Sequence, residues 1–144
     1  NYTIMLYNIF IMLNKNINML NKYWNYVDFR HYNKDYVPNS SGIYLFARVM
    51  KRILQVPVGL DILYVGKSKN LRKRFKTYSN SKKLHNNLLE SFIKTEPNLE
   101  FWFLETENNE ITVFETLITK ELKKYNKNLT NKITFKSIKG ELYV

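Results

Sequence analysis

The chain has no cysteine among its 144 residues. That excludes a disulfide scaffold, a thiol nucleophile and a thiolate-bound zinc. Histidine is almost as scarce, with His31 and His85 the whole complement, too few for a histidine-built metal centre. A metal ion bound here is held mainly by oxygen, the preference of Mg²⁺-like ions. Four glycines and three prolines leave little room for long flexible linkers. No apolar run reaches the roughly 20 residues that a spanning helix needs, so no membrane span is expected. Acid is in short supply too: 12 Asp+Glu face 23 Lys+Arg, a formal net charge of +11. That balance selects polyanionic partners, nucleic acid first and an acidic membrane surface second.

What is present can build a core. Hydrophobic residues make up 44% and aromatics 15%, so the charge does not belong to a disordered basic tail. At this length one domain with one extra segment is expected. Asn occurs 19 times, Lys outnumbers Arg 18 to 5, and Tyr and Ile are abundant. This bias is the mark of a very AT-rich genome. It points to an intracellular protein, either mitochondrial and organelle-encoded or cytoplasmic in a low-GC organism.

Residues 1–13 are strongly apolar but too short to span a bilayer, and they lack the basic leader and cleavage site of a signal peptide. Residues 1–36 are read as an N-terminal apolar and aromatic arm or extension; its apolar run 1–13 either packs on the core or on a partner as an appendage, or serves as a docking arm for a protein partner or a second copy. The cluster Val37-Pro38-Asn39-Ser40-Ser41 punctuates the chain, so the domain is placed at 37–135, with 136–144 as a tail. Gly42–Val49 and Asp61–Gly66 read as paired strands. The span Met50–Asp61 between them is expected to project beside the site as a basic hairpin loop. Leu71, Phe75 and Tyr78 form the stripe of a first helix, and Leu84, Leu88 and Phe92 that of a second. Leu99–Glu105 reads as a buried strand. A last helix follows, with Phe114, Leu117, Ile118, Leu122 and Tyr125 on one face. The expectation is an α/β domain in the order β-β-α-α-β-α, with a central three-stranded, mostly antiparallel sheet flanked by helices.

Between Lys67 and Lys83 lie eight basic residues and no acid: Lys67, Lys69, Arg72, Lys73, Arg74, Lys76, Lys82 and Lys83. A helix N-terminus in this run adds positive potential, and each contact with a phosphate releases counterions. Arg74, at the edge of the apolar stripe, is positioned to offer a rigid fork to one phosphate. Tyr44 and Tyr64 occupy equivalent places in the two strands. A phenol beside a metal ion or an arginine can be held in a more acidic state and take a proton from water. Glu115 borders the inward face of the last helix, where a carboxylate either pairs with Arg74 or ligates a cation; one carboxylate with waters and phosphate oxygens is a usual Mg²⁺ arrangement.

Gly42-Ile43-Tyr44 followed by Tyr64-Val65-Gly66 resembles the namesake pair of the GIY-YIG nucleases. The stretch from Tyr64 to Phe75 is similar to the segment after the family's second tyrosine, with Arg74 at its arginine. The approach Val37–Phe46 resembles the opening of the UvrC-type nuclease domain. The last helix resembles the one that bears the family's metal-ligating glutamate, here Glu115. The resemblance implies a catalytic set of Tyr44, Tyr64, Arg74, His85 and an asparagine, Asn131 or Asn128 with Thr130 in the nearest strict register. Glu115 is implied to hold one divalent ion, Mg²⁺ or Mn²⁺, and Lys67, Lys69, Arg72, Lys73, Lys76, Lys82 and Lys83 to grip nucleic acid.

The function these residues imply is a metal-dependent endonuclease of homing or repair type. In it Tyr44, helped by Tyr64 or His85, orients or deprotonates the attacking water. The alternative is a catalytically retired, GIY-YIG-derived subunit of a ribonucleoprotein such as a mitochondrial ribosome. DNA is the partner of the first and rRNA that of the second. No second DNA-binding module is recognised in the chain, so affinity is expected to come from a partner, a dimer or the N-terminal arm.

Overall fold

In the computed structural model, residues 24–80, 84 and 86–125 are described. The expected arm over 1–13, the tail over 136–144, His85, Lys82, Lys83, Asn128, Thr130 and Asn131 lie outside them. The elements are β1 (Asn25–Asp28), a 3₁₀-helix (His31–Tyr36), β2 (Gly42–Ile53), β3 (Val56–Ser68), α1 (Leu71–Asn80), α2 (Asn87–Thr95), β4 (Leu99–Glu105) and α3 (Ile111–Tyr125). From β2 onward the order is the expected β-β-α-α-β-α.

Strict alternation in β2 gives the sheet two apolar faces. Ile43, Leu45 and Ala47 join Leu60, Ile62, Val65 and Leu104 under Ile111, Phe114, Ile118 and Leu122 of α3. Tyr44 and Phe46 point the other way. With Phe101 and Phe103 they meet Leu71, Phe75 and Tyr78 of α1 and Leu89 of α2. Each such side chain contributes about 1.5–3 kcal/mol on burial, which is why the sheet is covered on both sides.

The sheet is antiparallel with strand order β1-β4-β2-β3. It has four strands where the sequence reading expects three. The additional strand is β1, paired to β4 from Asn25↔Phe103 to Asp28↔Glu100. Within the extension of the sequence reading, residues 25–28 therefore pair with the sheet, and the 3₁₀-helix is tied to α1. Phe29 and Val37 are buried in the same cluster as Tyr44. The four residues Asn25-Tyr26-Val27-Asp28 carry no apolar alternation of their own, so only their partner reveals the strand.

Strands β2 and β3 are longer than the sequence reading has them. Pairing of β2 with β4 stops at Arg48↔Leu99, but its pairing with β3 runs on to Ile53↔Val56. The hairpin turns at Leu54 and Gln55, with φ of 47° and 71°, the positive values that a tight two-residue hairpin requires. This corrects the expected basic loop beside the site: the turn lies at the opposite end of the hairpin from Gly42 and Ser68. Its arginines are also neutralised. Arg48 pairs with Asp61 at 2.5 Å and Glu96 at 2.9 Å, and Arg52 pairs with Glu100.

The stripe of the second helix is shifted as well. Asn86 caps α2 by accepting from the Leu89 N–H at 3.0 Å, so the helix starts after Leu84. Leu89 faces inward and Leu88 is exposed.

Candidate active site

The two glycines of the paired tripeptides have packing reasons to be glycine. A Cβ on Gly66 would strike the Tyr44 ring, with Cε1 at 2.7 Å, and one on Gly42 would strike the Leu104 carbonyl and Leu71 Cδ1, the latter at 2.8 Å. Tyr44 is directly opposite Gly66 in the ladder, so its ring lies over the space that the missing side chain leaves. Phe101 stacks on that ring at 5.2 Å and 16°.

A register shift between Phe46 and Ala47 leaves Leu63 unpaired, and Tyr64 then pairs with Phe46. The bulge turns Leu63 onto the same face as Tyr64. Tyr64 shares the face of Tyr44 through the regular register Tyr44↔Gly66 and Phe46↔Tyr64, with ring centroids 6.2 Å apart. The Tyr44 and Tyr78 hydroxyls are 2.8 Å apart, and Tyr64 hydrogen-bonds into the same group. Three phenols from β2, β3 and α1 therefore share one polar cluster in an otherwise aromatic core.

Burial raises the Tyr44 pKa well above the ordinary tyrosine value, with the neighbouring Tyr78 and Tyr64 adding to the rise; the Arg74 charge opposes it without prevailing. Tyr64 is also raised, first by burial and then by Tyr78, with Glu115 contributing. The sequence reading gives Tyr44 the leading role and a more acidic phenol. The polypeptide does the opposite. Tyr44 is 2% exposed and cannot reach bulk water, whereas Tyr64 is partly exposed on the edge strand.

Arg74 stands as expected, partly buried on α1, its guanidinium carbon 6.0 Å from the Tyr78 ring centroid. It lines an open cleft of about 650 Å³ together with Lys67, Lys69, Asn70, Lys73, Thr77 and Thr112. Lys67 is the last cation of β3, and its Nζ donates to Thr112 Oγ1 of α3 at 2.8 Å, tying the strand to the final helix. Glu115 lies one helical turn beyond Thr112. Desolvation raises its pKa while the Lys67 charge lowers it. Lys67 is thus the cation it senses, and among the described residues its carboxylate makes no ion pair, with Arg74 or any other base.

Two parts of the expected phosphate grip are used by the fold itself. Arg72 Nε donates to the Val37 carbonyl at 2.7 Å and an Arg72 terminal nitrogen to the Asp35 carbonyl at 3.2 Å. The leading N–H groups of α1 are also satisfied, Leu71 by the Ser40 carbonyl at 2.9 Å, Arg72 by the Pro38 carbonyl at 3.0 Å and Lys73 by Asn70 Oδ1 at 2.9 Å. Side-chain charge, not free backbone donors, makes the cleft positive. Lys69 and Lys73 line it and are exposed; Lys76 is exposed on the helix outside it. Tyr78 was read only as core. The one signal available is that it is the sole stripe member of α1 with a polar tip.

A UvrC-like GIY-YIG domain matches residues 40–127. The chain belongs to the GIY-YIG family. The GIY-YIG chain is 32% identical over 101 residues to UvrABC system protein C of Mycoplasma mycoides subsp. mycoides SC, covering 70% of this chain and 15% of that protein. It is 32% identical over 104 residues to UvrABC system protein C of Fusobacterium nucleatum, covering 72% of this chain and 16% of that one. A protein of the same name from Methanococcus maripaludis is 32% identical over 90 residues. The GIY-YIG chain thus spans only 15–16% of the length of these curated relatives. No solved structure matches it.

Proposed function

We propose that this GIY-YIG chain is a nuclease domain that hydrolyses phosphodiester bonds in DNA with one divalent ion, Mg²⁺ or Mn²⁺. The observation that carries the reading is the meeting of Tyr64, Arg74, Lys67 and Glu115 around the open edge of β3, beside a cleft whose charged lining is wholly basic. The names of the relatives place them in a UvrABC system; only their domain's chemistry is carried to this chain.

Glu115 is the residue fitted to hold the ion. It is a partly buried carboxylate without an ion pair among the described residues, and no cluster of three or more acids or histidines exists there. A single carboxylate suits an ion that keeps its waters and takes substrate oxygens. Bound there, such an ion supplies charge neutralisation at the phosphate and the leaving oxygen.

The other roles fall to the polypeptide. Tyr64, held neutral by burial, orients the attacking water through its hydroxyl, and Tyr78 and Tyr44 fix that hydroxyl from behind. Arg74 offers a fixed fork to the charge that develops on the phosphate. Lys67, locked to Thr112, opposes the rise that burial imposes on the Glu115 carboxyl. Lys69 and Lys73 draw the strand into the cleft.

The decisive measurement is nicking of a supercoiled plasmid with Mg²⁺ or Mn²⁺. Glu115→Gln keeps the size of the side chain and removes its charge. It should abolish nicking while leaving DNA binding within about twofold of wild type, since the cleft cations remain. Survival of metal-dependent nicking in that variant would refute the role of Glu115. Binding by the wild-type chain without nicking in either metal would leave a nucleic-acid binder of the ribonucleoprotein kind.

A further inference from the structure

We propose that Tyr32 and Tyr36 form a stacking platform for unpaired bases of the strand that enters the cleft; the proposal rests on the nuclease reading above. Both rings are 74% exposed, whereas Tyr44 and Tyr78 are each 2% exposed. Among the described residues neither ring makes a ring contact, and neither hydroxyl makes a hydrogen bond.

The rings are exposed, but the segment that carries them is fixed. The 3₁₀-helix is flanked by buried Phe29 and Val37 and fastened to α1 at both ends. His31 Nδ1 is 2.8 Å from Ser79 Oγ, and the Arg72 guanidinium donates to the Val37 and Asp35 carbonyls. A ring held on a fixed backbone loses little conformational freedom on binding, which suits it to contact rather than to motion.

Helical periodicity places this platform relative to the cleft. Arg72 and Ser79 mark the flank of α1 that faces the 3₁₀-helix, and Lys76 lies between them on that flank, exposed. Asn70, Lys73, Arg74 and Thr77 mark the flank that faces the cleft. Lys73 and Lys76 therefore lead from one flank to the other, across a helix about 10 Å wide with its side chains. The helix carries no acid; Asp35 on the 3₁₀-helix is exposed beside the tyrosines, with Lys34 next to it.

A row of cations leading to the helix that carries two exposed aromatic rings fits a nucleic-acid strand. The cations follow the phosphates and each ring takes a base. The faces of a base inside a duplex are already occupied by its neighbours, so the platform selects unpaired bases.

The test uses the full chain and two fluorescent DNAs of the same sequence, one fully paired and one with an internal unpaired stretch. Tyr32→Ala and Tyr36→Ala should each weaken binding to the second DNA about fivefold or more, and binding to the first by less than about twofold. Tyr32→Phe and Tyr36→Phe should restore it, because the face and not the hydroxyl is used. Lys76→Ala should instead weaken both and flatten the salt dependence by close to one phosphate contact, a slope change of about 0.9 on paired DNA. Unchanged affinity in both alanine variants, or equal losses on the two DNAs, would overturn the platform while leaving the nuclease reading intact. A wild-type chain that binds neither DNA would instead remove the nuclease reading, and the platform with it.

Discussion

Gly66 shows how much of the site depends on an absent side chain. The Tyr44 ring fills the position that a Cβ would take, so Gly66→Ala forces the ring away from Phe101 and Tyr78. Overpacking of this sort costs about 1–3 kcal/mol, read as a lower urea midpoint. Combining it with Tyr44→Leu, which vacates the space, should recover part of the loss, because the two sites are coupled by one contact. Tyr44 itself gives a pH signature. Its raised pKa means that the folded chain holds this proton more tightly than the unfolded one, whose phenol titrates near about 10. Stability is thus fully present below about pH 10 and falls as the pH rises beyond it. Tyr44→Phe should cost about 0.5–1.5 kcal/mol at neutral pH through the lost hydroxyl contact, and should make the alkaline decline shallower in urea melts. At this scale motif and spacing mark Tyr44, Tyr64, Arg74 and Glu115 in the sequence. It did not reveal which tyrosine meets solvent. A period-two pattern assigns a face of the sheet, but exposure depends on which strand forms the edge, here β3. Tyr78 was hidden for a similar reason, since its spacing on α1 is that of a core residue.

Helix α1 carries both the core stripe and the cleft cations, so its start sets the geometry of the site. Three protein oxygens satisfy its leading N–H groups, and Asn70 supplies the one from a side chain, at 2.9 Å from the Lys73 nitrogen. Asn70→Ala should cost about 1 kcal/mol of stability, and Asn70→Asp should keep the cap; thermal melting distinguishes them. The alanine variant should also lose nicking activity beyond its stability loss, because Lys73 and Arg74 ride on that first turn. The sequence anticipated this helix, β4 and α3 well, since each has a clear apolar period between punctuating residues. It misjudged elements whose existence depends on partners. Strand β1 is legible only through its pairing with β4. The β2–β3 ribbon outruns its expected ends as a paired ladder to Ile53↔Val56, and its charged residues find partners that a linear reading does not show: Arg48 binds Asp61 across the ribbon, and Arg52 binds Glu100 of β4.

Over the whole molecule, the net charge is +11, and among the described residues its cations divide into those exposed along the cleft and those held by the fold. Lys69 and Lys73 stand exposed along the cleft. Arg52, on the hairpin, is held by Glu100, stacks its guanidinium 4.7 Å from the Tyr26 ring centroid, and has part of its surface covered. The indole N–H of Trp102 donates to the other oxygen of that glutamate at 3.0 Å. A count of basic residues treats these groups alike, but their responses to mutation should differ in kind. Lys73→Ala should leave the urea midpoint within about 0.5 kcal/mol of wild type and reduce the slope of log affinity against log salt by about 0.9 on duplex DNA. Arg52→Ala should leave that slope unchanged. It should cost about 1–3 kcal/mol, because Glu100 is buried and loses its charged partner, and the double variant Arg52→Ala with Glu100→Gln should cost less than the sum of the two. Anisotropy titrations over a salt series, with urea melts on the same proteins, separate the two classes. A fall in salt slope for Arg52→Ala would mean that the hairpin grips nucleic acid, and the positive surface would then extend along the whole β2–β3 ribbon.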